Sequence, residues 1–203
     1  MKIKINNTDV YFISDFHCFH HNVLKFDNRP FSDVHEMHNT IIKNWNNTVS
    51  PNSTVFYMGD LSFNSFTNTK PIVDSLVGNI YFINGNHDNP KDILKYDRWV
   101  DVLDMVDLQI LDEKNVEQRK NKYQHLVLSH YPILHWNRKH YGSIHVHGHS
   151  HHDLYKSNAS YYETGYVLDV GCNGIDYTPI SYEDVKRVVQ RQCKDLGYHH
   201  QLS

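Results

Sequence analysis

The sequence predicts an α/β fold built from layers of sheet and helix rather than an all-β barrel. Short apolar runs rich in β-branched and aromatic residues recur along the chain, and such runs are typical of buried strands when Gly, Asn, Asp or Ser flank them. A segment with helical spacing of apolar residues separates the first two runs. Polar residues follow the runs directly, where open α/β sheets bind their ligands.

The predicted strands are taken in chain order. Five runs indicate buried strands: Val10–Ile13, residues 54–58, residues 80–83, residues 125–128 and residues 166–171. Residues 101–112 are expected to add strands to a second sheet. Residues 113–122 are so highly charged that a solvated hairpin turn is expected there.

Two helices are predicted from apolar spacing and capping residues. The first has apolar residues at positions 34, 37, 41, 42 and 45, and Asp33 and Glu36 open it in a capping-box arrangement. The second begins after Ser181, with Asp184 at the third helical position and an apolar face of valines.

Candidate metal-binding side chains cluster just after the predicted strands. They occur in five segments: Asp15-Phe16-His17, Gly59-Asp60, Gly85-Asn86-His87-Asp88, Ser129-His130 and Gly148-His149-Ser150-His151. Any one of these segments arises by chance in many chains, and the chain contains 17 histidines. Their order and their positions at strand ends make the set informative.

The ordered set resembles the calcineurin-like metallophosphoesterase superfamily, whose motifs run D-x-H, G-D, G-N-H-[DE], a histidine after a strand, and G-H-x-H. The resemblance covers roughly residues 10–180, and residues 14–31 are similar to a compact branch of small bacterial and phage phosphoesterases. It implies a two-sheet sandwich flanked by helices in four layers, αββα. It also implies a site at the loop-bearing edge of the sheets.

The resemblance further implies a pair of divalent metal ions. Asp60 is the expected bridging carboxylate, and the expected ligands of the two ions are Asp15, His17, Asp60 and His151 for one, and Asp60, Asn86, His130 and His149 for the other. An extended segment would place His149 and His151 on the same face. We expect manganese, while iron, zinc, cobalt and nickel also suit His, Asp and Asn ligands.

Three further residues are candidate catalytic groups. The family assigns the histidine at the position of His87 the role of proton donor, which suits a residue next to a metal ligand. Asp88 is expected to orient the His87 ring and favour its protonated form. Arg29 is expected to clamp phosphate, because a guanidinium pairs bidentately with two phosphate oxygens.

These residues lead us to expect a dinuclear metal-dependent phosphoesterase that hydrolyses phosphate mono- or diesters, of nucleotide type, by attack of a metal-bridging hydroxide. One alternative is a nuclease-type phosphodiesterase acting on nucleic-acid ends. Another is a catalytically silent metallophosphoesterase fold that serves as a binding scaffold. A formal charge of −3 argues against a broad electropositive groove for nucleic acid.

Composition sets the remaining expectations. With 203 residues and 39% hydrophobic content, the chain is expected to fold as one domain over residues 1–203. Its apolar runs are too short to cross a bilayer and no signal-peptide segment is evident, so a soluble, cytoplasmic protein without membrane partners is expected. The three cysteines form no disulfide pattern. Oligomeric state and substrate are not encoded in any recognisable motif.

Overall fold

The computed structural model describes residues 1–113, 122–152 and 166–195. The strands are β1 (Lys2–Ile5), β2 (Val10–Ile13), β3 (Thr54–Tyr57), β4 (Asn79–Ile83), β5 (Trp99–Leu103), β6 (Met105–Leu111), β7 (Tyr123–Ser129), β8 (Ile144–His147), β9 (Val167–Asp169) and β10 (Ile180–Ser181). The α-helices are α1 (Val23–Phe26), α2 (Val34–Thr48), α3 (Phe66–Ser75), α4 (Pro90–Ile93) and α5 (Tyr182–Asp195). Short 3-10 helices lie at Lys139–Tyr141 and Cys172–Gly174.

The strands form two five-stranded sheets. The first sheet has the order β10-β2-β3-β4-β5, in which β2 to β5 are parallel and β10 is an antiparallel edge. The second sheet has the order β1-β6-β7-β8-β9 and is mixed, because only β6 and β7 pair antiparallel. The predicted α/β architecture is therefore present, with two sheets flanked by helices.

The apolar core is divided by the first sheet. On one face, Phe12 and Met58 pack with Leu108 and Leu128 of the second sheet, and α5 contributes Val185 to the same cluster. On the other face, α2 and α3 pack against side chains such as Tyr57 and Phe82. The alternation of residues within β2, β3 and β4 thus buries both faces of the first sheet, as parallel strands require.

Helix boundaries follow the capping residues identified in the sequence. Asp33 Oδ1 accepts hydrogen bonds from the backbone N–H groups of His35 and Glu36 at the start of α2. Ser181 Oγ accepts from the backbone N–H of Asp184, 3.1 Å away, at the start of α5. The Ser181 cap and the Asp33 half of the capping box are confirmed, whereas Glu36 Oε2 accepts from the Ser32 N–H and hydroxyl groups. Within the described ranges, no helix is long and apolar enough to span a membrane.

One expectation about the middle of the chain was partly wrong, and a second falls mostly outside the described residues. Residues 101–112 were expected in a second sheet, but Trp99–Leu103 pairs with β4 in the first sheet and only Met105–Leu111 joins the second. The predicted hairpin turn at 113–122 falls mostly on residues 114–121, which lie outside the described residues. The strands on either side pair antiparallel, with Leu111 opposite Tyr123.

The topology brings the candidate site residues together at one edge. Parallel strands β2, β3 and β4 all end there, so the segments after them lie side by side. The second sheet meets this edge, because Ser14 N–H donates to the Val170 carbonyl and Cys172 N–H donates to the Ser14 carbonyl. Five loops from two sheets therefore converge.

Candidate metal centre

Two groups of potential ligands lie at this edge. The first trio consists of Asp15, His17 and His151, and the second trio consists of Asp60, His130 and His149. Within each trio, one potential ligand atom from every residue lies within 4.8 Å of the others. The grouping matches the division between two ions that the family resemblance implies.

Asp60 belongs to the second trio and also faces the first. Its Oδ2 atom is 3.6 Å from His17 Nε2 and 3.5 Å from His130 Nε2. Its Oδ1 atom accepts a hydrogen bond from the His87 backbone N–H at 2.9 Å, so the carboxylate is oriented with Oδ2 toward both rings. One carboxylate oxygen thus faces both groups, as a bridging ligand does.

The ring orientations suit cation binding. His130 Nδ1 lies 2.8 Å from the Met58 carbonyl oxygen, so this nitrogen carries the hydrogen and leaves the Nε2 lone pair facing Asp60 Oδ2. Asn86 Oδ1 lies 2.9 Å from the same Nε2. Lone pairs that converge without a donor between them are satisfied by a cation, and imidazole, carboxylate and amide donors suit manganese, iron or zinc. The residues present therefore fit a divalent ion.

The first trio is equally convergent. His17 Nε2 and His151 Nε2 are 3.0 Å apart, and Asp15 Oδ1 lies 3.8 Å and 3.7 Å from them, respectively. The other Asp15 oxygen accepts from Ser14 Oγ and from the His149 backbone N–H. Asp15 is fully buried, so these neighbouring groups, and not solvent, stabilise its charge.

The backbone at the site adopts an uncommon conformation. Asp15, His17, Asp60, His149 and His151 all have positive φ, between 48° and 68°. Non-glycine residues in this left-handed region are uncommon and concentrate at functional sites, where the surrounding structure holds them in place. Five of the seven expected ligands share this geometry, which turns each side chain inward directly after a strand.

This conformation corrects the expectation for the G-H-x-H segment. His149 and His151 were expected to share a face of an extended segment, yet β8 ends at His147 and both later histidines are left-handed. Their rings consequently reach different trios. Gly148 permits the turn, since a Cβ at this position would lie 2.6 Å from Asp15 Oδ2.

A buried ion pair supports the first trio. Asp27 Oδ2 lies 2.6 Å from His151 Nδ1 and 2.8 Å from Arg29 Nη2. Carboxylates that accept from the outer nitrogen of a ligating histidine fix its tautomer and orientation. Asp27 is a functional residue that sequence reasoning missed. The only available signal was its position two residues before Arg29, in a segment with no strand or helix pattern.

The structure argues against Arg29 as a phosphate clamp. Its guanidinium is fully buried and donates to the Asp15 and Phe16 carbonyl oxygens as well as to Asp27. Because those bonds occupy all its nitrogens, no face remains for two phosphate oxygens. Arg29 instead holds the backbone of the first ligand segment.

Asp88 also differs from expectation. It was expected to orient the His87 ring, but its carboxylate accepts backbone hydrogen bonds from Asp60, Leu61 and Gly85 at 2.8–2.9 Å. Burial raises its pKa above the ordinary value despite these bonds. Asp88 therefore ties two ligand loops together and acts on the site through the backbone.

His87 lies beside the trios without joining either. Its side chain is exposed, and its ring centroid is 5.6 Å from that of His17. The ring also contacts Phe63, with centroids 4.6 Å apart. An accessible imidazole one residue from Asn86 is placed to exchange protons with a bound molecule.

Charge coupling within the site shifts several pKa values. Burial alone would raise the pKa of Asp15, but its contacts with His17 and His151 hold it well below the ordinary range. Burial would lower the pKa of His151, yet the hydrogen bond to Asp27 and the charge of Asp15 raise it. The pKa of His149 is lowered, first by burial and then by His130. The first trio therefore holds the Asp15 carboxylate ionised.

Comparison with known proteins identifies relatives without assigned functions. No protein-family model matches the chain. An uncharacterized protein of Methanocaldococcus jannaschii is 48% identical over 81 residues, which is 39% of this chain and 46% of the relative, so the match spans less than half of that protein. The crystal structure of a protein of unknown function from Aquifex aeolicus superposes with a TM-score of 0.60 and 21% identity, covering 88% of this chain and 98% of that one. The latter similarity concerns the fold alone.

Proposed function

We propose that the protein is a dinuclear metal-dependent phosphoesterase of the calcineurin-like metallophosphoesterase superfamily, with the four-layer αββα fold. The observation that carries the proposal is the position of Asp60 Oδ2, which lies 3.5 Å from His130 Nε2 of its own trio and 3.6 Å from His17 Nε2 of the other trio. A single-ion site would not need a second trio on the far side of one carboxylate.

The ligand types support hydrolytic chemistry. Two divalent ions about 3.5–4 Å apart, when bound, would lower the pKa of water and neutralise the oxygens of a phosphoryl group. Asp15, His17 and His151 would hold one ion, Asn86, His130 and His149 the other, and Asp60 both. The half-buried Asp88 carboxylate and the Asp27–Arg29 pair keep these side chains in place.

His87 provides the remaining chemical group. A leaving alkoxide needs a proton, and the exposed His87 imidazole adjoins the first trio without belonging to it. A protonated imidazole there would donate to the departing oxygen and recover its proton from solvent. This accessible acid favours a phosphoesterase over a silent binding scaffold, which would have no use for it. The substrate is proposed to be a small phosphate ester or nucleotide.

Metal removal provides the first test. Hydrolysis of p-nitrophenyl phosphate and bis(p-nitrophenyl) phosphate should be lost after chelation with EDTA and restored by manganese. The reason is that the trios supply ligands and, among the described residues, no side chain at the site is arranged as a nucleophile with its own base. Full activity in protein shown by elemental analysis to be metal-free would refute the proposal.

Substitution of His87 provides the second test. His87→Ala should retain its metal content but slow the release of alkoxide leaving groups by about 10²–10⁴-fold, the usual range for general acid catalysis. The defect should shrink for p-nitrophenolate, which departs without a proton. His35→Ala, at an exposed histidine on α2, is the matched control. Equal slowing of both leaving groups would remove His87 from this role.

A further inference from the structure

A cavity of about 290 Å³ opens beside His87, outside the two trios. Its lining includes His87, Asp88 and Asp92 together with the aromatic residues Phe63, Phe66 and Tyr96. We propose that this cavity holds the leaving group of the substrate and selects an uncharged, nucleoside-like group. The inference rests on the proposed function and specifies its substrate class.

The position of His87 connects the cavity to the reaction. The His87 ring lies 5.6 Å from the His17 ring of the first trio and also lines the cavity. In the hydrolysis, water forms the new bond to phosphorus while the bond from phosphorus to the leaving oxygen breaks. That oxygen keeps the electron pair and takes a proton from His87. The rest of the leaving group must then lie on the His87 side, where the cavity begins.

The cavity walls suit a planar ring. Phe63 is 45% exposed, and its ring lies 4.6 Å from His87 and is stacked on His20 at 4.1 Å with an interplanar angle of 20°. Phe66 and Tyr96 form a second aromatic pair at 4.7 Å. Tyr96 is buried and Phe66 half-buried, so Phe63 is the exposed ring on which a nucleobase would stack, an interaction with little sequence preference.

The charges of the cavity disfavour a second anion. Asp88 and Asp92 line it, whereas none of the lining residues, all within the described part of the chain, is lysine or arginine. The nearby Lys95 ammonium is paired with Asp92 at 2.5 Å. Asn64 and Asn89 provide neutral hydrogen-bonding groups instead. A leaving group that carries a further phosphate or carboxylate would be repelled.

The test uses three substrates that share the same leaving oxygen. Ribose 5-phosphate lacks a base, uridine 5′-monophosphate adds one, and orotidine 5′-monophosphate adds a carboxylate to that base. Each would be assayed with the manganese-loaded protein, both as the monoester and as its methyl diester, and release of the ribose or nucleoside rather than of methanol would be measured. We expect kcat/KM to be highest for the uridine compound and about tenfold or more lower for the other two.

Two variants assign this preference to the cavity. Phe63→Ala should lower the uridine-to-ribose ratio of kcat/KM by about tenfold. Phe26→Ala, at an exposed phenylalanine that touches His20 but does not line the cavity, should keep the ratio. Asp92→Asn should raise the orotidine-to-uridine ratio by about tenfold, because it removes one of the two carboxylates.

The outcomes separate this inference from the proposed function. Hydrolysis of p-nitrophenyl esters without a uridine preference, or a ratio that falls in Phe26→Ala and not in Phe63→Ala, would overturn the cavity assignment while the phosphoesterase stands. Failure of the metal-loaded protein to hydrolyse any of these esters would overturn the phosphoesterase and the cavity assignment together.

Discussion

The two trios differ in how the protein supports them. In the first, the outer nitrogen of His151 contacts the Asp27 carboxylate, which is itself paired with Arg29, and Asp15 and His17 are buried. In the second, the outer nitrogen of His130 contacts a backbone carbonyl and His149 is exposed. Charged side chains thus orient the ligating histidine of the first trio. A backbone carbonyl, that of Met58, orients His130 of the second. We expect the two metal positions to respond differently to the same kind of substitution.

The largest effect is expected where both halves meet. Asp60→Ala should lose metal at both positions and with it all hydrolysis, because its Oδ2 atom faces both His17 and His130. His17→Ala should mainly empty the first position. Elemental analysis of the purified variants would measure this, and two tightly bound ions per chain in Asp60→Ala would show that the halves are independent.

A smaller effect should distinguish the two halves. Asp27→Asn should weaken metal binding at the first position by about 10–100-fold, the usual cost of removing a carboxylate behind a ligating histidine, and should leave the second position unchanged. Metal titration followed by calorimetry would resolve the two positions. Asp104→Asn, at an exposed carboxylate bonded to Asn84, is the matched control. Equal weakening at both positions would contradict the proposed division of support.

The smallest effect concerns the loop that follows His130. The buried His145 ring accepts from the Ile133 backbone N–H at 3.0 Å, and its Nδ1 donates to the Val127 carbonyl. Burial, with the nearby His147, lowers the pKa of His145 to about 3 from its ordinary value of 6.5. His145 therefore stays neutral in the folded protein between about pH 6.5 and 3, whereas the unfolded chain binds a proton at this residue below pH 6.5.

The sign of the pH effect follows from this lowered pKa. The contribution of His145 to stability is fully present above pH 6.5 and is lost as the pH falls toward 3. His145→Gln should reduce the slope of the unfolding free energy against pH by about 1.4 kcal/mol per pH unit between pH 6 and 4. Urea denaturation at several pH values would measure the slope. His35→Gln, at an exposed position, should keep it, and an unchanged slope in His145→Gln would refute the assignment.

Residue patterns did not predict β1 or β10, but they predicted β2, β3, β4, β7 and β9 and the convergence of the ligand segments. The reason is that buried parallel strands leave continuous apolar runs and end at a common edge. The supporting contacts were not predictable in this way. Asp27 contacts His151, which lies 124 positions away in the sequence. Arg29 and Asp88 form hydrogen bonds with backbone groups, and a sequence pattern does not reveal such bonds. The left-handed turns at His149 and His151 were missed because the alternation rule assumes an extended chain.

The central claim is that Asp60 bridges two metal ions. Anomalous diffraction from crystals of the protein soaked in manganese would test it most directly. We predict two peaks about 3.5–4 Å apart with Asp60 Oδ2 between them. One peak should lie beside Asp15, His17 and His151, and the other beside Asn86, His130 and His149. A single peak, or two peaks that Asp60 does not touch, would contradict it.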